Sequence, residues 1–452
     1  MSLSVVVLAA GKGTRMKSAL PKVLHSIAGK SMLNHVLDAA LPLNPLTNII
    51  VYGHAGELVQ QQLANEKNLQ WAQQAQQKGT GHAVLQAVPY FSSAQKVLIL
   101  YGDVPLIQTA TLERLLAAKA AVSLLTVKLD NPSGYGRIVR NQQNQVEAIV
   151  EQKDASLKQL EINEVNTGIM AVEAAYLTQW LNDLSDDNAQ GEYYLTDIIS
   201  MAVKAGLQIN TEQPQYCWEV EGVNSRLQLA ELERTWQQVQ AENCMLNGIS
   251  LKDPKRFDLR GTLQHGEDII IDINVILEGD NTIGQGVTIG ANSVIKNCII
   301  EDNVIIQENC VCENAYIGES SIIGPFARLR PETKLMGKNK VGNFVEIKKS
   351  NIGEGSKISH LSYIGDTQMG KGVNIGAGTI TCNYDGINKS LTEIGDNAFI
   401  GSNSALVAPL KIGQGATIGA GSVITMNAPV DTLTLERSKQ RSLSGWSRPT
   451  KK

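Results

Sequence analysis

An aliphatic residue returns at every sixth position through most of the second half of this chain, and that period limits what the half can become. From Ile271 the beat runs through Leu277, Ile283, Ile289 and Ile295, then resumes at Ile317, Ile323, Leu329, Leu335, Val341 and Ile347. After another slip it continues at Ile352, Ile358 and Ile364, and again from Ile394 through Ile400, Leu406, Ile412, Ile418 and Ile424. Glycine often follows the aliphatic, as in Ile283-Gly284, Ile400-Gly401 and Ile412-Gly413. A helix repeats every 3.6 residues and a half-buried strand every two, so neither produces six. A chain that turns a corner once per hexad does. Each short strand points one aliphatic inward, and glycine relieves crowding at the bend. The expected architecture is a β-solenoid.

Length points to a second, different unit, because 452 residues exceed what one core usually supports. Aromatic residues make up only 5% of the chain, as a solenoid of Ile, Val, Ala and Gly would dictate. The net charge of -4 gives no electrostatic basis for a nucleic-acid partner. The apolar run Leu3 to Ala10 lacks a basic leader and enters Gly11-Lys12-Gly13 directly, so it reads as a buried strand and not as a signal peptide or membrane span. Cys217, Cys244, Cys298, Cys310, Cys312 and Cys382 show neither C-x-x-C pairing nor metal-ligand spacing, which fits reduced thiols in a cytoplasmic protein.

The first half alternates strand and helix. Strands are expected at Ser4–Leu8, Asn48–Tyr52, Lys96–Leu100 and Val122–Leu129, and helices near Met32–Leu41, Gly81–Val88 and Thr109–Ala121. That order predicts a doubly wound, Rossmann-like sheet with its ligand site beyond the strand C-termini. Two features sit at such ends. Leu8-Ala9-Ala10-Gly11-Lys12-Gly13-Thr14-Arg15-Met16, followed by Pro21-Lys22, places small residues and cations where backbone N–H groups can close on a phosphate. It is neither a Walker A loop nor a full dinucleotide fingerprint, and a tight turn with solvated cations is the other reading. Val97 to Leu100, followed by Tyr101-Gly102-Asp103, delivers a carboxylate to the sheet edge, for a phosphate-bound cation or for a turn.

The glycine loop with Pro21-Lys22 resembles the signature of sugar-1-phosphate nucleotidylyltransferases. Gly79-Thr80-Gly81-His82-Ala83, Tyr101-Gly102-Asp103, Gly134-Tyr135-Gly136-Arg137 and Asn166-Thr167-Gly168 narrow the likeness. With the hexapeptide solenoid, the full length resembles the bacterial bifunctional family that joins N-acetylglucosamine-1-phosphate uridylyltransferase to glucosamine-1-phosphate N-acetyltransferase. The resemblance implies a uridylyltransferase domain over 1–226, a helical linker over 227–247 and a left-handed parallel β-helix acetyltransferase domain with a basic tail over 248–452. It also implies synthesis of UDP-N-acetylglucosamine, a precursor of peptidoglycan and lipopolysaccharide, by a cytoplasmic homotrimer without a membrane span.

Residue roles follow from the same resemblance. Leu8, Ala9, Ala10 and Gly11 would hold the nucleotide, Arg15 and Lys22 would neutralise phosphates, and Gln74, Gly79 and Thr80 would read uracil. Tyr101 and Gly102 would lie at the nucleotide, and Gly136, Glu151 and Asn166 would hold the sugar. Asp103 and Asn224 would ligate Mg²⁺, although Asn224 with Ser225 and Gln228 reads equally as a helix cap. In the solenoid, His360 would be the general base, with Arg330 and Lys348 on the sugar phosphate and Tyr363 and Asn374 on the sugar. Ala377, Asn383, Tyr384, Ser402 and Ala420 would line the acetyl-CoA groove, with Arg437 on its phosphates. His25, His35, His54, His82 and His265 lie in contexts that call for no catalytic role.

Leu229, Leu232, Trp236 and Val239 step by three and four, so Arg226 to about Asn247 reads as one amphipathic helix, a spacer of roughly 30 Å. The phase slips after Ile347 and Ile364 attract polar residues and read as places for function or loops. Two other functions compete. A monofunctional nucleotidylyltransferase with an assembling solenoid leaves His360 and Asn383-Tyr384 unexplained. A non-catalytic scaffold leaves the intact glycine loop and Asp103 unexplained.

Overall fold

The computed structural model describes residues 2–451 except 12, 54, 55, 65, 67 and 92–95. Lys12 of the glycine loop, His54 and Lys452 of the tail therefore lie outside the described residues. The chain divides into two compact units, Met1–Trp236 and Gln237–Lys452.

The first unit is built on a nine-stranded sheet: β1 (Leu3–Ala9), β2 (Thr47–Tyr52), β3 (Leu69–Gln73), β4 (Lys96–Tyr101), β5 (Val122–Lys128), β6 (Arg137–Arg140), β7 (Val146–Val150), β8 (Glu164–Glu173) and β9 (Ile209–Glu212). The order is β9-β5-β8-β4-β1-β2-β3, with β6 and β7 as a hairpin off β8. Strands β4, β1, β2 and β3 are parallel, and β8 runs antiparallel between β4 and β5. The sheet is therefore mixed rather than wholly parallel. Antiparallel β8 is buried on both faces like its neighbours, so its run of apolar residues carries no mark of direction. Alternate residues feed two cores: Val6, Ile49 and Ile99 on one face, Val5, Val7, Ile50 and Leu98 on the other. Helices Met32–Ala40 and Thr80–Leu85 follow strands as expected, and the phosphate-loop residues leave the C-terminal end of β1.

The second unit is a parallel β-helix of short strands in two ladders of eleven and seventeen strands. Partners in neighbouring coils stand 17 or 18 residues apart, as do Asn343 with His360 and Asn339 with Ser321. Each coil thus consumes three hexads. Every beat residue named above is buried, and Ile300, Ile306 and Cys312 carry the beat across the gap between Ile295 and Ile317. Two positions before the beat sits a second inward column of small residues. Most of its hydroxyls are paired, Thr392 excepted: Ser350 Oγ donates to Lys348 O (2.8 Å) and accepts from Thr367 N (3.0 Å).

The slips have a geometric cause. They recur at one corner, where Asn297, Asn314, Lys349 and Asp366 take φ of 44 to 48°, and a corner one residue shorter gives a 17-residue coil. A real insertion occurs once: Thr367 pairs with Thr392 and Ile380 with Ala405, because a small hairpin closed by Tyr384 and Lys389 leaves the coil.

Helix Arg226–Leu246 spans the boundary between the units, and each part packs within its own unit. Leu232 is buried with Met16, Ile27, Met32 and Val223 of the first unit. Farther along, Ala241 and Cys244 join the solenoid core, and buried Gln237 exchanges hydrogen bonds with the Leu259 backbone (2.7 and 3.0 Å).

Candidate functional site

In the first unit, a cavity of about 260 Å³ opens at the C-terminal ends of β1 and β4. Its walls include Leu8, Ala9, Ala10, Gly11, Lys22, Gln74, Gly79, Thr80, Tyr101 and Asp103, so the structure gathers ten sequence-predicted residues there. Gly13 takes φ 58°, and a Cβ on it would stand 2.8 Å from Lys22 Cβ, so only glycine lets the loop pass beside Lys22. The Lys22 ammonium ion-pairs with Asp103 and donates to Asn224 Oδ1 (3.1 Å). Val223 N donates to Asp103 O (2.9 Å), which brings Asn224 beside the carboxylate from over a hundred residues away. The helix cap does not consume Asn224: Ser225 Oγ accepts from Gln228 N (3.3 Å), and Gln228 Oε1 accepts from Asn224 N (2.8 Å). Its side-chain oxygen is left to face the cation. Arg15 is exposed on the short helix Thr14–Met16.

Gly136, Glu151 and Asn166 adjoin this cavity through Tyr101. Asn166 N donates to Gly136 O (2.9 Å), and a Cβ on Gly136 would stand 3.3 Å from Glu151 Oε1. Asn166 Oδ1 accepts from Gly168 N (3.1 Å), and Gly168, at φ 86°, packs on the Tyr101 ring. Buried Gly102 donates to Leu8 O (2.9 Å) and ties β4 to β1. Burial raises the Glu151 carboxyl, with Asp154 and Asp197 adding to the effect and a hydrogen bond from Thr196 (3.1 Å) opposing it. Burial likewise holds the Tyr101 phenol well above its usual range, helped by Asp103 and Glu151. Sequence reasoning missed Gln77 and Glu192, which also line the cavity; the Gln77 amide donates to Ala10 O. Nothing in their local sequence marks them.

In the solenoid the register does the gathering. Asn343 and His360 are direct partners on neighbouring strands, and His360 Nδ1 lies 2.9 Å from Asn343 Oδ1. An amide oxygen only accepts, so Nδ1 carries a proton, and in the neutral ring the lone pair lies on Nε2. Around the next corner, Arg330 Nη1 donates to Glu346 Oε1 (2.7 Å), and Glu346 pairs with Tyr363. Lys348 lies 3.7 Å from Asp366, whose carboxylate accepts from Asn383. Gly365 makes room for both aromatic and amide, since a Cβ there would meet Tyr363 Oη at 2.5 Å and Asn383 Nδ2 at 2.8 Å. Lys389, unnoticed in the sequence, joins this group, and the neighbouring Lys348 ammonium lowers its pKa. Asn374 shares a face with His360 but sits in register with Lys357, at the far end of that strand.

Ala377, Ser402 and Ala420 each follow a corner glycine, and these corners stack: Gly376 N donates to Ile400 O and Gly401 N to Ile418 O (both 2.8 Å). Arg437 reaches the same ladder, donating to Ala420 O (3.0 Å). Asn383 and Tyr384 lie beyond strand Ile380–Cys382 on the hairpin, with Tyr384 exposed. Of the other histidines, His35 is held by Ile27 O (2.9 Å) and His265 by Gly266 O (2.8 Å), while His25 is buried. All six cysteines are free thiols. Among the described residues no helix is long and apolar enough to cross a membrane.

Known proteins share both halves. Residues 5–155 match the MobA-like NTP transferase domain, and residues 282–314 and 391–425 match the bacterial transferase hexapeptide (six repeats). A solved structure described as a glucose-1-phosphate thymidylyltransferase of Bacillus anthracis, in complex with a sucrose, aligns with a TM-score of 0.42 at 18% identity, over 51% of this chain and 94% of that one. A UDP-glucose pyrophosphorylase complexed with UDP-glucose aligns at 0.43 and 16%, over 53% of this chain and 100% of that one. The Bifunctional protein GlmU of Idiomarina loihiensis is 56% identical over 454 residues, covering 100% of this chain and 99% of that protein. With that identity along both chains and both domain types present, this chain belongs to the GlmU family of bifunctional transferases, which N-acetylate glucosamine-1-phosphate and then uridylylate the product to UDP-N-acetylglucosamine.

Proposed function

We propose that the two reactions divide between the two residue groups, uridylyl transfer at the cavity under β1 and β4 and acetyl transfer on the solenoid face around His360. For the first, Leu8–Gly11 cradle the nucleotide, Gln74, Gly79 and Thr80 contact uracil, and Gly136, Glu151 and Asn166 hold the N-acetylated sugar. The sugar-phosphate oxygen attacks the α-phosphorus of UTP in line, and pyrophosphate leaves. No protein nucleophile is needed, so the work of Arg15 and Lys22 is positioning and charge stabilisation. The reaction is Mg²⁺-dependent, and the residues suit that ion: Asp103 and Asn224 already converge two oxygens on one cation, the Lys22 ammonium. Two protein donors suffice for an ion that keeps waters and substrate phosphates, and when bound it neutralises phosphate charge. Asp103 and Asn224 would hold the ion, and the Lys22 ammonium would then be free to face the phosphates. This convergence is the observation that carries the reading.

For the second reaction, His360 Nε2 takes a proton from the glucosamine amine. The amine nitrogen attacks the acetyl thioester carbonyl, and the coenzyme A thiolate departs. Arg330, Lys348 and Lys389 supply positive charge for the sugar phosphate, Tyr363 and Asn374 contact the sugar, and the Ala377–Ser402–Ala420 ladder with Asn383, Tyr384 and Arg437 receives acetyl-CoA. The chain works as a homotrimer through the solenoid. Support comes from Phe326, Phe344 and Leu361, stacked on one corner beside His360 and each at least half exposed. UTP, acetyl-CoA and free thiols support a cytoplasmic location.

A coupled assay with glucosamine-1-phosphate, acetyl-CoA, UTP and Mg²⁺, reading thiol and pyrophosphate release separately, tests the assignment. His360→Ala should remove the first signal, and Asp103→Ala should remove the second when N-acetylglucosamine-1-phosphate is supplied. A variant that removes the opposite signal overturns it.

A further inference from the structure

His82 stands in the wall behind the nucleotide cavity, in a helix turn that the proposed reaction leaves without a role. It touches Gln74, a wall residue whose side-chain amide has a settled orientation. Gln74 is 4% exposed and lines the cavity. Its Nε2 donates to Gly79 O (3.1 Å), and its second N–H faces His82 Nδ1 at 3.1 Å. Both amide hydrogens are thereby engaged, and among the described residues no group donates to Gln74 Oε1. An amide oxygen with no protein donor, on a cavity wall, is open to one from a ligand.

We propose that His82 is a positioning residue for nucleobase selection: its Nδ1 lone pair pins the Gln74 amide so that Oε1, and not the NH₂ group, meets the base edge. This rests on the reading of Gln74 as a uracil contact. Uracil offers a ring N–H at N3, which an amide oxygen can accept. Cytosine offers a lone pair at that position, which the same oxygen repels. The selection is thus made by repulsion as much as by attraction.

The imidazole can play this part only with Nδ1 unprotonated. Gln86 also approaches the ring, its Nε2 lying 3.4 Å from His82 Nε2. A neutral ring has one lone pair, and the shorter contact, to Gln74, takes it. The Gln86 amide has its own acceptor in His82 O (3.1 Å). Burial and the nearby Lys78 both lower the His82 pKa and favour the neutral ring. Tyr193, with its ring 6.3 Å away and tilted by 32°, keeps the imidazole in place.

The test is steady-state uridylyl transfer with UTP and with CTP as competitor on His82→Phe, His82→Asn and Gln74→Ala, with acetyl transfer by the same preparations as the folding check. His82→Phe keeps the bulk and removes the acceptor. It should raise the KM for UTP about tenfold, change kcat by less than about threefold, and narrow the preference for UTP over CTP about tenfold. His82→Asn puts an amide oxygen near the Nδ1 position and should stay within about threefold of the parent. If His82→Asn is as damaged as His82→Phe, or if His82→Phe leaves the preference unchanged while Gln74→Ala alters it, the positioning role is overturned. If Gln74→Ala itself leaves the preference unchanged, the uracil contact falls and this inference with it.

Discussion

Asn343 was readable in the sequence and was passed over. One coil takes 17 or 18 residues, and His360 minus 17 is Asn343, an amide on the same outer face as the proposed base. The period that gave the fold also gave the neighbour. Lys389 had no such signal, because it returns to the Lys348 group through a hairpin that breaks the period. In the cavity the motifs marked residues on strand ends, whereas Gln77 and Glu192 act by converging from elsewhere. His360→Ala should lower acetyl transfer roughly 10²–10⁴-fold with the melting temperature unmoved, as expected for a positioned base. Asn343→Leu, which frees the ring to turn, should cost about tenfold in the same assay. A normal rate in either folded variant rejects the pairing. Glu151 gives a pH test. Its carboxyl is raised by burial, so as pH falls its carboxylate is lost sooner than that of an ordinary glutamate near about 4.3. Because the sugar hydroxyls need an acceptor, the KM for N-acetylglucosamine-1-phosphate should climb on the acid side before that range is reached. Glu151→Gln should have a higher KM without that limb. A parent KM flat down to the ordinary range would contradict the role.

At the scale of elements, side-chain pattern fixed which residues face inward but not how segments run. The β1, β2, β4 and β5 strands were legible as apolar runs, while β3, with Gln70 and Gln73 exposed, was not. Antiparallel β8 was missed because burial on both faces erases alternation, and direction depends on the β6–β7 hairpin. In the solenoid, the slips have a physical cause that does not depend on chemistry. A 17-residue coil needs one short corner, so a slip must recur whether or not chemistry is nearby. The interior column predicts its own energetics. Ile347 is fully buried in mid-solenoid, with Leu329 and Ile364 above and below it in the ladder. Ile347→Ala should cost about 2–5 kcal/mol in the solenoid's unfolding transition, since stacked coils close poorly over a cavity. Calorimetry that finds less than about 1 kcal/mol would mean that the coil relaxes around the gap.

For the whole molecule, each group of site residues lies within a single compact unit, so the activities should separate. Arg15→Ala or Lys22→Ala should reduce pyrophosphate release by at least roughly 10²-fold and leave thiol release from acetyl-CoA near normal, the size expected when a charge clamp is lost. Loss of both activities in a folded variant would show that one site serves both. Assembly supplies the remaining prediction. Phe326, Phe344 and Leu361 occupy one corner column at φ of 49 to 57°, a left-handed conformation that bulky side chains rarely adopt. Asn309, one coil earlier, holds the same conformation with a residue that tolerates it, so geometry alone does not call for Phe or Leu. The two rings stack 5.4 Å apart, and the three side chains are 50, 57 and 61% exposed. Such a ladder costs backbone strain and leaves apolar area in water, which is sustainable where another copy covers it. Its position beside Asn343 and His360 would put that copy at the proposed acetyl-transfer site. For the proposed homotrimer, Phe344→Glu should therefore shift the chain from trimer to monomer in analytical ultracentrifugation and lower acetyl transfer in parallel. Uridylyl transfer from UTP to N-acetylglucosamine-1-phosphate should persist, because its residues all belong to the first unit. A Phe344→Glu protein that sediments as a trimer, or a monomer with full acetyl transfer, would remove the solenoid corner from the interface.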